Sequence, residues 1–280
     1  MTETAPVRTT QAVILARGLG TRMRRESGAG TSALTDEQRR AAESGSKGMM
    51  PLGARPFLDY VLSALADAGI EQATLVIGPE HHQVREYFTT TSPPERVRIR
   101  FAVQAEPRGT ADAVHSARDA VSDAPFLVLN ADNYYPVAAY RDLAAFGASG
   151  LVAFEADTLV REGGLEPERV LRYALIDTAA DDTLRAVREK PPADDPLARR
   201  AERWVSMNLW SFTPIIFAAC ARVTPSARGE LEIQDAVNIA IRNMGERFHV
   251  LRMRAGVLDL SSRADVALVA ARLANVEPHP

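Results

Sequence analysis

The chain has 280 residues, 46% of them hydrophobic, and a net charge of −3. That is enough apolar mass for a large α/β core and too little basic excess to hold a nucleic-acid polymer. A single cysteine, Cys220 in FAACARV, excludes an internal disulfide framework and reads as a buried side chain in a reducing, cytoplasmic setting. No apolar run is long enough for a membrane span, and the polar start MTETAPVRTT lacks the apolar core of a signal peptide.

Short apolar runs alternate with helical patterns over residues 11–155, the signature of βαβ units building a mostly parallel, Rossmann-like sheet flanked by helices. QAVIL (11–15) is the first predicted strand, followed directly by the glycine-rich LARGLGTRM. Residues 24–46 are polar, rich in Gly and Ser, and too long for an ordinary βα connection. They read as a mobile flap in which Thr35 and Gln38 can cap a short helix. A helix over 57–68 has Pro56 at its first position and Gly69 at its close. Strands 73–78, 99–103, 126–130 and 151–155 then alternate with helices 80–88, 110–121 and 137–146. After residue 170 the closely spaced strands RYALID, LRAVRE and VSMNLWSF, helices over 214–222 and 233–243, a strand over 248–254 and a helix over 263–275 predict a smaller α+β subdomain. It is expected to lie against the first sheet and so form a cleft, with ligands beyond the carboxyl ends of the strands.

Chemistry concentrates in a few places. Of thirty-three basic residues only Lys47 and Lys190 are lysine. An ammonium is a compact point charge that fits between crowded phosphate oxygens, where a planar guanidinium does not. Gly18, Gly20 and the amides after them can form a nest for a polyphosphate, with Arg22 reaching back to its oxygens. Other residues are less telling. His81 and His82 have no cysteine or carboxylate spaced for a shared metal and read as surface residues, while Trp204 and Trp210 suit either a cleft wall or the core.

The string LARGLGTRM, with Lys47 and Pro51 downstream, resembles L-A-G-G-x-G-T-R-M/L followed by K-x-x-x-P, a signature of sugar-1-phosphate nucleotidyltransferases. The resemblance runs to residue 276. It implies a single domain over 1–280, with a nucleotide-binding half over 11–155 and a sugar-phosphate-binding half over 156–280. The nucleotide would meet Leu15, Ala16, Gly18, Gly20 and Thr21, with Arg22 and Lys47 as catalytic cations. QAEPRGTADAV resembles the base-reading segment, which puts the Gln104 side chain and the backbone of Gly109 and Thr110 on the nucleobase edge. FLVLNADNYYP resembles L-x-G-D-N and implies that Asp132 binds metal; GVLDLSSRADVALVA resembles W-x-D-x-G-T-x-x-D-L and makes Asp259 the second metal carboxylate. REKPP resembles E-K-P, with Glu189 on sugar hydroxyls and Lys190 on the sugar phosphate. Tyr173 and Asn208 would join the sugar side, and GELEIQDAV resembles the helix motif G-E-x-x-x-T/Q-D.

The implied reaction is Mg²⁺-assisted in-line transfer of NMP from an NTP to a sugar-1-phosphate, with UTP or dTTP favoured over ATP. The acceptor oxygen is already anionic, so alignment and charge cancellation matter more than a general base. Several features depart from the pattern. Arg17 replaces Gly or Ala, twenty-four residues separate Arg22 from Lys47, and Ala174 replaces a glycine near the sugar. A chain ending without a β-helix tail argues against a fused acetyltransferase, and a homo-oligomer is compatible with the resemblance. Other readings stay open: a transferase using another phosphorylated acceptor, a GT-A glycosyltransferase, or an inactive regulatory subunit. Structurally, Asp132 could cap a loop and Asp259 could belong to the start of the last helix, in competition with Ser262 and Asp265.

Overall fold

A computed structural model describes residues 8–18, 20–25, 34–171, 173–192 and 194–280. In chain order its elements are β1 (Gln11–Leu15), α1 (Thr21–Arg25), α2 (Asp36–Ser44), β2 (Pro51–Leu52), β3 (Arg55–Pro56), α3 (Phe57–Asp67), β4 (Gln72–Ile77), α4 (His82–Glu86), β5 (Arg98–Val103), α5 (Thr110–Ser116), β6 (Phe126–Asn130), β7 (Asn133–Tyr134), α6 (Val137–Ala144) and β8 (Gly150–Glu155). The second half adds α7 (Ala156–Gly163), α8 (Pro167–Val170), β9 (Ala174–Thr178), β10 (Leu184–Arg188), β11 (Trp204–Phe212), α9 (Ile215–Cys220), α10 (Ile233–Met244), β12 (His249–Met253), β13 (Leu258–Asp259) and α11 (Asp265–Leu273).

One large sheet runs β10-β9-β11-β6-β1-β4-β5, with β8 on β11 and β12 on β8. β1 lies between two parallel partners, β4 and β6. It is buried on both faces: Ala12 and Ile14 enter one apolar cluster with α3 and α6, whereas Val13 enters the other with α5, α9 and α10. Burial on both faces explains why the β1 and β6 segments are continuous apolar runs with no polar alternation.

The second half does not form a subdomain stacked on the first sheet. Its strands prolong that sheet instead: the nine-residue β11 pairs antiparallel with β8 along both its halves, and on its other side with β9 through Val205 and Ser206 and then with β6 through Trp210–Phe212. The change of partner falls at a register shift between Ser206 and Trp210, where Asn208 takes φ +61°. A bulge at this point turns a side chain out of the ladder and toward the cleft.

Smaller expectations also shift. Pro56 caps α3 from outside, since its extended backbone pairs with Pro51 across the β2–β3 hairpin. The helix expected over 80–88 is the short α4 followed by a wider π-helical turn over 87–91, and α5 stops at Ser116 ahead of a separate 3₁₀ turn at Arg118–Ala120. Of the expected flap, residues 26–33 lie outside the described residues. Residues 36–44 form α2, docked through the buried Ala42 and a bond from Gln38 Nε2 to the Pro51 carbonyl.

The cap on α2 is reciprocal: the Gln38 amide donates to Thr35 Oγ1 at 3.2 Å, and the Thr35 amide donates to Gln38 Oε1 at 3.1 Å. α2 ends at Gly45, whose backbone leaves room only for a glycine at Gly20, where a Cβ would lie 2.5 Å from the Gly45 oxygen. The capped helix therefore supports the glycine turn from below. Thr35→Ala is expected to lower unfolding free energy by about 1 kcal/mol in urea denaturation.

Candidate active site

The site lies beyond the carboxyl ends of β1, β5 and β6, where a cleft of about 480 Å³ is lined by Leu15, Ala16, Gly18, Gly20, Thr21 and Arg22 on one wall. Gln104, Gly109, Thr110, Asp132, Tyr173, Asn208 and Asp259 complete it, with Lys47 at the centre of the arrangement. A smaller cavity of about 120 Å³ is lined by Arg22, Tyr173, Ala174, Glu189, Lys190 and Asn208, together with Arg169, Ser206 and Gln234. Every site residue expected from the sequence borders one of the two spaces, and Arg22, Tyr173 and Asn208 border both.

Gly20 has φ +57° and opens α1, whose first amides have no helical acceptor. Arg22 is exposed and makes no ion pair among the described residues. Arg17, the unexpected residue of the turn, points away: its guanidinium is buried, donates to the Gln104 carbonyl and pairs with Glu80 at 3.4 Å. Gln104 is thereby held from both ends. Its side-chain nitrogen donates to the Gly109 carbonyl at 3.1 Å and to Asp112 at 2.8 Å, both acceptors only, so the amide oxygen is the atom left for a base. The hydroxyl of Thr110 accepts the Ile233 amide at 2.9 Å, which ties the base-reading segment to the start of α10.

Asp132 and Asp259 are 127 positions apart in sequence and meet through the two-residue ladder of β7 and β13, in which Asn133 faces Asp259 and the Leu260 amide donates to the Asp132 carbonyl. Lys47 Nζ donates to Asp132 Oδ2 at 2.8 Å. Burial works against the charge on Lys47, but Asp132, helped by Asp259, holds its pKa above the ordinary lysine value. Asp259 is buried, and burial followed by the charge of Asp132 pushes its pKa up. Its oxygens take hydrogen bonds from Tyr173 at 2.5 Å and Ser261 at 2.6 Å, and Arg169 Nη2 lies 2.7 Å away as an ion pair. Asp265, not Asp259, gathers the amides of Ser261 and Ser262 at the start of α11.

Arg169 was not legible in the sequence. It stands in an unremarkable PERV stretch, and only the fold brings α8 against β13 and α11, where Nη1 also pairs with Asp265 at 2.7 Å. The Tyr173 hydroxyl, expected on the sugar side, is committed to Asp259, while its ring lines both cavities. His81 is half-buried and its Nδ1 accepts the Gly78 amide at 2.9 Å, so it closes the end of β4 and is not a plain surface residue. Trp210 is fully buried in the core; Trp204 lies under Arg252 and Arg254 at another opening. Cys220 is buried as expected, which pushes its thiol up to about 12.

The nucleotidyl transferase family model matches residues 39–260. The chain belongs to that family. This nucleotidyltransferase is 29% identical over 255 residues to the UTP–glucose-1-phosphate uridylyltransferase AglF of Haloferax volcanii, covering 91% of this chain and 93% of the relative. It is 26% identical to a glucose-1-phosphate thymidylyltransferase of Streptomyces griseus, over 81% of this chain and 56% of the relative. Against the bifunctional protein GlmU of Methanococcus vannielii it is 25% identical and spans 48% of the relative's length. Among solved structures, a UDP-glucose pyrophosphorylase from Acinetobacter baumannii superposes with a TM-score of 0.73 at 19% identity, over 97% of this chain and 96% of that one. The shared fold is a mixed, mostly parallel sheet flanked by helices.

Glu189 has a distinctive environment in this nucleotidyltransferase. Burial, then the charge of Glu232, pushes its carboxyl up to about 7 against the pull of Arg228, with Glu230 adding repulsion and Lys190 Nζ 3.8 Å away. Between the ordinary 4.5 and about 7 the folded chain holds a proton that the unfolded chain has released. Stability from this group is therefore full at low pH and is lost as pH rises through that window. Glu189→Gln is expected to remove a decline on the order of 1–3 kcal/mol between about pH 4.5 and 7, read as a flatter melting temperature against pH.

Proposed function

We propose that the protein transfers NMP from an NTP to a sugar-1-phosphate, releasing pyrophosphate. The observation that carries this reading is the convergence of Arg22, Lys47 and Lys190 around paired cavities, one at the glycine turn and the other against Glu189 and Asn208. One reactant is a polyanion and the other a phosphate monoester, so about four or more negative charges must be offset where they meet. The glycine turn and Arg22 receive the triphosphate and later the departing pyrophosphate. Lys47 stands between donor and acceptor, and Lys190 with Glu189 holds the sugar phosphate and its hydroxyls. An oxygen of the acceptor phosphate attacks the α-phosphorus, and the bond from that phosphorus to the β-bridging oxygen breaks in line. No covalent enzyme intermediate is needed.

Asp132 and Asp259 suit Mg²⁺. They are two neighbouring carboxylates, the charge of Asp132 helping to push the Asp259 pKa up, and Asp132 Oδ1 has no hydrogen bond among the described residues. Mg²⁺ favours one or two carboxylates together with phosphate oxygens and would supply charge neutralisation at the transferring phosphoryl group. The free oxygen of Gln104 and the backbone of Gly109 form an acceptor–donor pair for a base edge. We read UTP or dTTP as donor with a glucose-type phosphate, a choice supported by the names of the uridylyl- and thymidylyl-transferring relatives. The nucleotide-binding and sugar-phosphate-binding roles of residues 11–155 and 156–280 belong to the same reading.

Pyrophosphate release over a matrix of nucleoside triphosphates and sugar-1-phosphates, with and without Mg²⁺, tests the proposal. Release is expected with UTP or dTTP and a hexose-1-phosphate and only with the metal; silence across the matrix would refute it. Asp132→Asn should lower kcat by about 10²- to 10³-fold with the melting profile preserved. Lys47→Arg should cost about 10²-fold despite the conserved charge, because the larger planar head displaces the aligned phosphates.

A further inference from the structure

A chain of three side chains behind the smaller cavity has a fixed polarity. Trp210 is buried in β11, and its indole nitrogen, which can only donate, bonds Asn208 Oδ1 at 3.3 Å. That bond decides which way the Asn208 amide faces. The same oxygen accepts a second hydrogen bond, from Gln234 Nε2 on α10, at 3.1 Å. Gln234 is fixed in turn: its nitrogen faces Asn208, and its oxygen is left buried with no hydrogen-bond partner. Gln234 and Asn208 both line the cavity of about 120 Å³ that also holds Glu189 and Lys190. A buried acceptor without a donor is costly, and this one stands beside a cavity where a ligand group can supply the donor.

A further observation points the same way. Asn208 holds φ +61° within the register shift of β11, a backbone state uncommon outside glycine, with its side chain held there by the bonds from Trp210 and Gln234. The cavity thus keeps one acceptor, the Gln234 oxygen, in reserve. A hydroxyl group, which can give a hydrogen bond, satisfies it.

We infer that Gln234 selects the acceptor by requiring a free hydroxyl on the sugar ring against its side-chain oxygen, and that Trp210 is the positioning residue that sets this polarity through Asn208. The inference rests on the sugar-1-phosphate reading above. It names the acceptor class more narrowly: an unmodified hydroxyl at that ring position, with the deoxy and O-methyl analogues rejected because neither can donate. Trp210 acts without touching the sugar, since its ring is packed into the core beside Phe212 at 5.7 Å between centroids.

The experiment starts from the sugar-1-phosphate that the wild-type enzyme uses best and compares kcat/KM for its monodeoxy analogues. If no sugar-1-phosphate supports pyrophosphate release, the proposed function itself fails, and that failure is read before any analogue is tried. With an active parent, one ring position should cost the wild-type enzyme about 10- to 100-fold on deoxygenation. Gln234→Met should abolish the penalty at that position and leave penalties elsewhere in place. Trp210→Phe, which removes the indole N–H and keeps an aromatic ring, should shrink the same penalty with KM for the nucleoside triphosphate within about two-fold of wild type. A purely structural role for Trp210 would instead lower kcat/KM for all acceptors alike. Wild-type enzyme that tolerates every monodeoxy analogue within two-fold overturns the proposal even if neither variant folds. An unchanged penalty in Gln234→Met overturns the role of Gln234, and an unchanged penalty in Trp210→Phe overturns that of Trp210.

Discussion

The site depends on two carboxylates held together against their own repulsion. Asp132 and Asp259 are joined by a ladder of two residues on each side, and the buried Asp259 is pushed toward its neutral form by desolvation and by its neighbour. Such an arrangement persists only with compensating charge. Lys47 supplies it to Asp132 and Arg169 supplies it to Asp259, so four side chains from four separate segments form one balanced group. Removing Arg169 would leave the buried Asp259 without its counter-ion, which is more costly than the pair is favourable.

The same balance gives the cleft its direction. Arg22 has no acidic partner among the described residues and is available to an incoming anion, whereas Arg169 is consumed by Asp259 and Asp265. Lys47 lies between these extremes, paired to Asp132 yet bordering open space. Strain is concentrated on the acceptor side: Lys190 at φ +42° and Asn208 at φ +61° are two of the three non-glycine residues with positive φ among those described. Both sit where a side chain must be turned out of regular backbone toward a cavity. On the nucleotide side glycine does that work, at Gly20 and at Gly109, where φ is +122° and a Cβ would meet the Leu231 backbone.

Much of this was legible before the fold. The apolar run of β1, the glycine turn after it, and the strand ends at Gln104 and Asp132 follow from period and position, because a doubly wound sheet gathers its loops at one end. The capping box at Thr35 and Gln38 was equally plain, since it is local in sequence. What failed was tertiary in origin. The closely spaced strands after residue 170 look like a separate layer in one dimension, and only pairing of β11 with β6 shows them to be the same sheet. Sequence left Arg17 free either to point away from the glycine turn or to add a phosphate contact, and only burial settles it, toward Glu80 and the Gln104 carbonyl.

Sequence by itself determined the chemistry available at the site: the lone pair of lysines, the glycine turn, and carboxylates at strand ends, each specified by residue type and by near neighbours. Tertiary structure alone decided how those groups are balanced and which atoms they present. Arg169 reaches Asp259 across 90 residues, and Trp210 fixes the orientation of Gln234 on α10 through the Asn208 amide of its own strand. Neither has a local signal, because the polarity of a buried amide is set by whichever donor packs against it, and packing partners are chosen by the whole fold.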